Sequence, residues 1–375
     1  MKTGLTRPSV VQVNYAFDKQ LTDPDALLDR YTTLTGWAGA VRAAGARQSA
    51  VVQRFHSSAR RVRDGIDYYF VDWGASRVVA GLAPDVAHVN GLVFPIRTWM
   101  LRRALPRASS IVVQNHSDTG PLGAAPLLRA AGRATRSAVD AFLFAADEHA
   151  LRWKRAGFIP GSSKMYQVME ASTVFEPIAR DAARAATRVL GAPALLWVGR
   201  LNSNKDPLTI LQGFESAAGQ LPDATLTMIF HTDDLAGAVR ARIDASPLLR
   251  ERVRLAGEVP HGEMPRYFSA ADIFIVGSHH EGSGYSLMEA LACGTTPAVT
   301  DIPTFRLLTA GGSVGALWPP GDAAACARAI ADVSRSVSAA NRERVREHFT
   351  QRFSWRAIGE RAMEVYEQVI ARRSA

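Results

Sequence analysis

The stretch Ile273–Ala292, IFIVGSHHEGSGYSLMEALA, combines a strand, a turn and a helix start in twenty residues. Ile273–Val276 is an apolar run too short for a helix and suited to a strand buried on both faces. A glycine-rich turn follows, and Ser286–Ala292 has the character of a helix. Gly282 and Gly284 let the backbone approach a ligand closely, and the unsatisfied N–H groups of the helix start suit a phosphate. Glu281 stands in the turn and Glu289 one turn inside the helix, where a carboxylate can accept hydrogen bonds from a diol such as a ribose. The same residues also fit an ordinary strand–helix connection carrying two solvated glutamates.

Upstream, Trp197-Val-Gly-Arg-Leu-Asn-Ser-Asn-Lys-Asp206 leads from another strand through a polar loop to a helix opened by Pro207, whose missing N–H costs nothing there. Arg200 and Lys205 leave that strand at its carboxyl edge, where open parallel sheets bind ligands. Two cations there could neutralise a diphosphate without a metal ion. They also fit a pair of exposed cations on a surface loop.

The alternation extends over the whole chain. Ser9–Asn14, Ser49–Gln53, Val86–Val89, Ile111–Gln114, Ala141–Phe144 and Met165–Val168 are strand candidates in the first half, with helices at Pro24–Ala44, Ile96–Ala104 and Asp147–Ala156. In the second half the strands are Ala194–Val198, Thr225–Phe230, Val253–Ala256, Ile273–Val276, Thr296–Val299 and Gly315–Leu317. Pro207–Ala218, Leu235–Ala245, Met264–Ala271, Ser286–Ala292 and Ala323–Val333 are its helices. Strands joined by helical crossovers predict an α/β fold of two doubly wound, Rossmann-like domains facing a central cleft. Glu176–Pro193 has no strand pattern and is the candidate link, which divides the chain into domains 1–178 and 179–375. Ser354–Arg373 predicts a long amphipathic helix that can pack back on the first domain.

Composition sets the outer bounds. A chain of 375 residues, 47% hydrophobic and 21% charged, is a folded protein large enough for two cores. No run of apolar residues reaches the length of a spanning helix. Cys293 and Cys326 alone cannot make a disulfide scaffold or a cysteine-based zinc site. Met1–Val13 lacks the apolar core and cleavage site of a secretory signal, so the expected location is cytoplasmic, with attachment to the inner face of the membrane as a further expectation.

The net charge is +9, and residues 1–180 hold all of it, with 23 Lys+Arg against 14 Asp+Glu, while residues 181–375 balance at 21 and 21. That asymmetry points the first half toward an anionic acceptor, or one carried on an anionic membrane surface. Phe94–Arg107, with Trp99, Met100 and Leu101 among Arg97, Arg102, Arg103 and Arg107, could lie on such a surface, or be a packed helix with a basic outer face. Arg54, Arg60, Arg61 and Arg63 form too short a patch for nucleic acid, which is not an expected partner, and read as a solvated or acceptor-facing loop. No metal is expected. Asp233-Asp234 precedes a helix, where aspartates cap, and His279-His280-Glu281 lacks the spacing of a helical zinc site.

Taken together, Gly199-Arg200-Leu201, Lys205-Asp206, Gly257-Glu258-Val259, Ala271-Asp272-Ile273-Phe274, Glu281-Gly282, Glu289-Ala-Leu-Ala-Cys-Gly294 and Gly315-Ala-Leu-Trp-Pro-Pro-Gly-Asp322 resemble retaining glycosyltransferases of the GT-B fold, family 4 (glycosyl transferases group 1). The resemblance is dense from residue 194 to residue 370. It implies that Arg200 and Lys205 hold a donor pyrophosphate, and that Glu281 contacts donor-sugar hydroxyls beside the reacting carbon. The backbone of Gly282, Ser283, Gly284, Tyr285 and Ser286 would cradle phosphate, Glu289 would hold the ribose diol, and Gly257, Glu258 and Val259 would lie near the nucleobase.

In the first half, Asn115-His116-Ser117-Asp118 resembles the family's strand-then-His loop and implies that His116 contacts the donor sugar at the reaction centre, although a lone His after a strand is by itself more often structural. Two departures stand out. Tyr15-Ala-Phe-Asp-Lys-Gln20 replaces a glycine-rich loop after the first strand, and His231-Thr-Asp-Asp-Leu235 replaces glycines after Thr225–Phe230. The activity implied is metal-independent transfer, with retention, of a sugar from a nucleoside diphosphate, UDP favoured, to a sugar, glycan or lipid-linked acceptor. No cofactor is implied beyond the nucleotide sugar as co-substrate. No carboxylate is placed as a covalent nucleophile, so a same-face path is expected. The rival readings are a catalytically silent nucleotide-sugar-binding subunit and a GT-B phosphorylase or epimerase.

Overall fold

The computed structural model describes residues 7–116, 126–161, 164–232 and 234–374. The chain divides into two compact units, Met1–Ser172 together with Trp355–Ala375, and Thr173–Ser354.

The first unit is built on one sheet of β1 (Ser9–Asn14), β2 (Gln48–Arg54), β3 (Ala59–Arg63), β4 (Ile66–Val71), β5 (Val86–Asn90), β6 (Ser110–Gln114), β7 (Ala141–Phe144) and β8 (Met165–Gln167). Their spatial order is β3-β4-β2-β1-β5-β6-β7-β8, parallel throughout except for β3 against β4. Val11, Val13, Ala50, Val52, Ala87, Val89, Ile111 and Val113 share one apolar core.

The hairpin β3–β4 is absent from the expected strands. Its turn, Asp64-Gly65, has φ of 50° and 69°, the pair of positive values that a two-residue hairpin turn requires. β3 reads as a loop because an edge strand needs no apolar face and this one carries three arginines. Each is ion-paired, Arg60 with Asp67, Arg61 with Asp25 and Arg63 with Asp29. The helix expected over Pro24–Ala44 is interrupted at Tyr31, whose φ of −102° and ψ of 68° leave the helical range, giving Pro24–Arg30 and Thr32–Ala43.

The terminal helix Trp355–Ser374 belongs to this unit. It lies against Thr32–Ala43 so closely that a Cβ at Gly359 would come 2.3 Å from the carbonyl oxygen of Ala40. Ile358, Ala362, Val365, Tyr366 and Val369 are buried along it.

The second unit holds β9 (Ala194–Val198), β10 (Thr225–Ile229), β11 (Val253–Gly257), β12 (Ile273–Val276), β13 (Thr296–Thr300) and β14 (Ala316–Trp318), all parallel, in the order β11-β10-β9-β12-β13-β14. This is the doubly wound order, reversing direction between β9 and β12. Leu195, Trp197, Leu226, Met228, Ile273 and Ile275 pack with Ile210, Leu211 and Phe214 of the helix Pro207–Ala218. Within the expected link lies a helix, Arg180–Thr187. Arg180 and Arg184 both pair with Asp272, whose carboxylate is buried and also accepts the N–H of Ala194 at 2.9 Å. The segment is thus clamped by charge at the amino-terminal ends of the central strands β9 and β12.

Candidate functional site

The loops that leave the carboxyl ends of β9 and β12, residues 199–206 and 277–284, stand at the point where strand order reverses, the place where such sheets bind ligands. They are laced together. The N–H of His279 donates to the carbonyl of Asn204 at 2.9 Å, and the N–H of His280 donates to Asn204 Oδ1 at 3.1 Å. A Cβ at Gly277 would lie 3.2 Å from the carbonyl oxygen of Asp206, so glycine lets the two backbones close. Asp206, itself at φ 43°, caps the helix Pro207–Ala218 through the N–H of Thr209. Its second oxygen lies 3.2 Å from His279 Nε2.

This lacing joins the two motifs. Lys205 Nζ is ion-paired with Glu281 Oε1, and their side chains are only 16% and 15% exposed. Ser278 Oγ donates to the same carboxylate at 2.7 Å, and Thr304 Oγ1 donates to the Glu281 carbonyl at 2.7 Å. Lys205 is therefore not the exposed lysine that a polar loop suggests, whereas Arg200 is exposed at the end of β9. Gly284, at φ 68°, starts the helix Tyr285–Ala292 where a Cβ would come within 2.9 Å of Leu308, and no side chain caps the first turn. The N–H groups of that turn and its positive dipole end are suited to an anion.

Glu289 is buried, and His261 Nε2 lies 2.8 Å from its Oε1. The hydrogen bond to Glu289 raises the His261 pKa above its ordinary 6.5. The imidazole also rests 4.9 Å from the ring of Phe175, centroid to centroid. Sequence reasoning passed over His261. Its only signal is position, just after the Gly257-Glu258-Val259 turn that leaves β11, where Gly257 has φ 69° and Glu258 is exposed.

His116 belongs to the first unit. It stands exposed just beyond β6 with Nε2 3.2 Å from Asn90 Oδ1. Ser117 and Asp118, quoted with it in the sequence, lie outside the described residues, as does Asp233 of the acidic pair. Among the described residues no three His, Cys, Asp or Glu side chains cluster as a metal site.

Residues 180–351 match the family model described as glycosyl transferases group 1. Over those residues, a little under half of the chain, it is similar to that family. The D-inositol 3-phosphate glycosyltransferase of Thermobispora bispora is 30% identical over 214 residues, 53% of this chain and 49% of that one. The chain spans about half the length of the curated relatives it matches. Among solved structures, sucrose-phosphate synthase from Thermosynechococcus elongatus is similar with a TM-score of 0.70 at 18% identity, over 97% of this chain and 100% of that one. Anabaena HepE in complex with UDP and glucose has a TM-score of 0.66 at 14% identity, over 96% and 100%. These likenesses show the fold, two Rossmann-like α/β domains of the GT-B type. Arg200, Lys205, Glu281 and Glu289 fall inside the matched residues, and His116 falls outside them.

Proposed function

We propose that the chain is a glycosyltransferase that moves a sugar from a nucleoside diphosphate, UDP favoured, to an acceptor with retention at the anomeric carbon and without a metal ion. The observation that carries this reading is the junction of the Lys205 and Glu281 loops at the reversal point of the second sheet, inside the family-matched residues. Arg200, Lys205 and the start of the helix Tyr285–Ala292 oppose the negative charge that grows on the departing diphosphate. Glu281, held by Lys205 and Ser278, contacts donor-sugar hydroxyls, and Glu289 takes the ribose diol. With no carboxylate assigned as nucleophile, the departing phosphate accepts the proton of the incoming hydroxyl on the same face. UDP is favoured because HepE, a structural neighbour, was solved with UDP and glucose.

In this reading residues 1–178 form the acceptor side, with His116 at the reaction centre, and residues 179–375 the donor side, the terminal helix returning to the first. Thermal-shift titration with UDP-, GDP- and ADP-glucose, followed by assays of transfer and donor hydrolysis, tests it, since a ligand that binds only the native state raises the melting temperature. A silent binding subunit would show the shift and neither reaction.

Peripheral membrane contact at the inner face is the accompanying proposal. The helix Pro95–Ala104 exposes Ile96, Trp99 and Met100, and Val93 and Leu127 are exposed nearby. Arg103 lies over the Trp99 ring at 5.0 Å. Apolar anchors beside arginine suit an anionic interface. No described helix is long and apolar enough to cross a membrane. Co-sedimentation with phosphatidylglycerol vesicles but not phosphatidylcholine vesicles, lost in Trp99→Ser with Met100→Ser, is the expected result.

A further inference from the structure

β1, β5 and β6 are interior parallel strands, and such strands are ordinarily apolar on both faces. One face here obeys, with Val11, Val13, Ala87, Val89, Ile111 and Val113 in the core. The other does not. Register sets Gln12 beside His88 and Asn14 beside Asn90 across β1 and β5, and Asn90 beside Gln114 across β5 and β6. Register partners share a face, so four side-chain amides and an imidazole stand together at the carboxyl ends, where the first sheet reverses its order. Gln12, His88 and Gln114 are 4%, 0% and 1% exposed.

A cavity of about 280 Å³ opens over this face, lined by Gln12, Asn14, Asn90 and Gln114, with Trp37 in its wall and His116 at its rim. Tyr366 Oη accepts from Trp37 Nε1 at 3.2 Å and donates to His88 Nδ1 at 2.7 Å, which anchors the floor to the terminal helix. Gln12 Oε1 and Gln114 Oε1 are buried with no hydrogen-bond partner among the described residues. Buried amide oxygens left without donors are costly, so a site that keeps them has a use for them.

We propose that this cavity is the acceptor site and that it takes an uncharged polyhydroxylated ring, a sugar or cyclitol whose neighbouring hydroxyls pair with Gln12, Asn14, Asn90 and Gln114. The proposal rests on the glycosyltransferase reading. A side-chain amide both donates and accepts, as a hydroxyl does, whereas a phosphate only accepts and would face the amide oxygens with like polarity. No Lys or Arg lines the cavity among the described residues, and the carboxylate of Glu170 does, which opposes an anion. The basic excess of the first half thus lies elsewhere than at this cavity. A ring held on the amides presents its hydroxyls beside His116, the residue assigned to the reaction centre.

Saturation-transfer NMR on the full chain with UDP present would compare D-glucose, D-mannose and myo-inositol with their monophosphates. At least one neutral ring is expected to bind, with its monophosphate about tenfold weaker, and Asn14→Leu and Gln114→Leu should each weaken the neutral ring about tenfold while calorimetric UDP affinity stays unchanged. Equal or tighter binding of the monophosphates, no binding of any neutral ring, or neutral-ring binding indifferent to both substitutions would overturn the proposal. Asn14 is at the partly exposed edge, so its variant serves if Gln114→Leu does not fold, and the comparison of neutral with phosphorylated rings needs no variant. Wild-type protein that fails to bind UDP would instead overturn the glycosyltransferase reading, a result separable from the ring-binding data.

Discussion

Lys205 and Glu281 stand 76 residues apart in the chain and form an ion pair between the loops that follow β9 and β12. Because both side chains are largely withdrawn from water, removing one leaves the other's charge poorly satisfied. Lys205→Ala is therefore expected to destabilise the second unit by about 1–3 kcal/mol, rather than the roughly 0.5 kcal/mol of an exposed lysine. Urea unfolding measures that cost, and calorimetry should show weakened UDP binding in the folded variant. Wild-type affinity for UDP would falsify the assignment of Lys205 to the diphosphate.

The His261–Glu289 pair has a pH signature. The folded pKa of His261 lies above its ordinary 6.5, so the contribution of the pair to stability is complete below pH 6.5 and disappears as pH rises through the folded value. An NMR titration should place the His261 midpoint above 6.5 in the wild type and nearer 6.5 in Glu289→Gln. Bound UDP should lower it, since ribose hydroxyls compete for the same carboxylate. A midpoint indifferent to both changes would show that the two side chains do not interact in solution.

His88 behaves in the opposite sense. Burial pushes its pKa down to about 3, while the unfolded chain binds that proton near 6.5. Stability should therefore be lost as pH falls below 6.5, approaching one proton, or about 1.4 kcal/mol, per pH unit for this residue. Comparing unfolding free energies from pH 6.5 to pH 5 in the wild type and in His88→Gln isolates the effect. Parallel curves would mean that His88 takes up its proton over the same pH range in the folded as in the unfolded chain.

Transfer should survive exhaustive chelation, and NMR of the product should show the anomeric configuration of the donor. Activity that returns only with a divalent ion, or an inverted product, would refute the same-face, metal-independent mechanism.

Much of the second unit is legible locally. Ala194–Val198 and Ile273–Val276 are the same as sequence ranges and as strands, because each is a continuous apolar run that ends at or just before a glycine turn. Pro207 and Asp206 mark a helix start by chemistry that works within a few residues. Of the hairpin, β3 was legible only through the turn Asp64-Gly65, since Arg60, Arg61 and Arg63 hide a strand whose partners are carboxylates elsewhere in the unit.

Alternating apolar runs, glycine turns and helix starts were enough to determine an α/β chain of two doubly wound units with cationic and acidic residues at strand ends, because these signals act over one or two turns of backbone. Tertiary structure alone decided that Lys205 meets Glu281, that His261 meets Glu289, and that Gln12, His88 and Gln114 share one buried face. Partners in a parallel sheet are separated by whole crossovers, and their register is set by how the helices pack over the strands. Nothing in the local pattern of either strand contains that information.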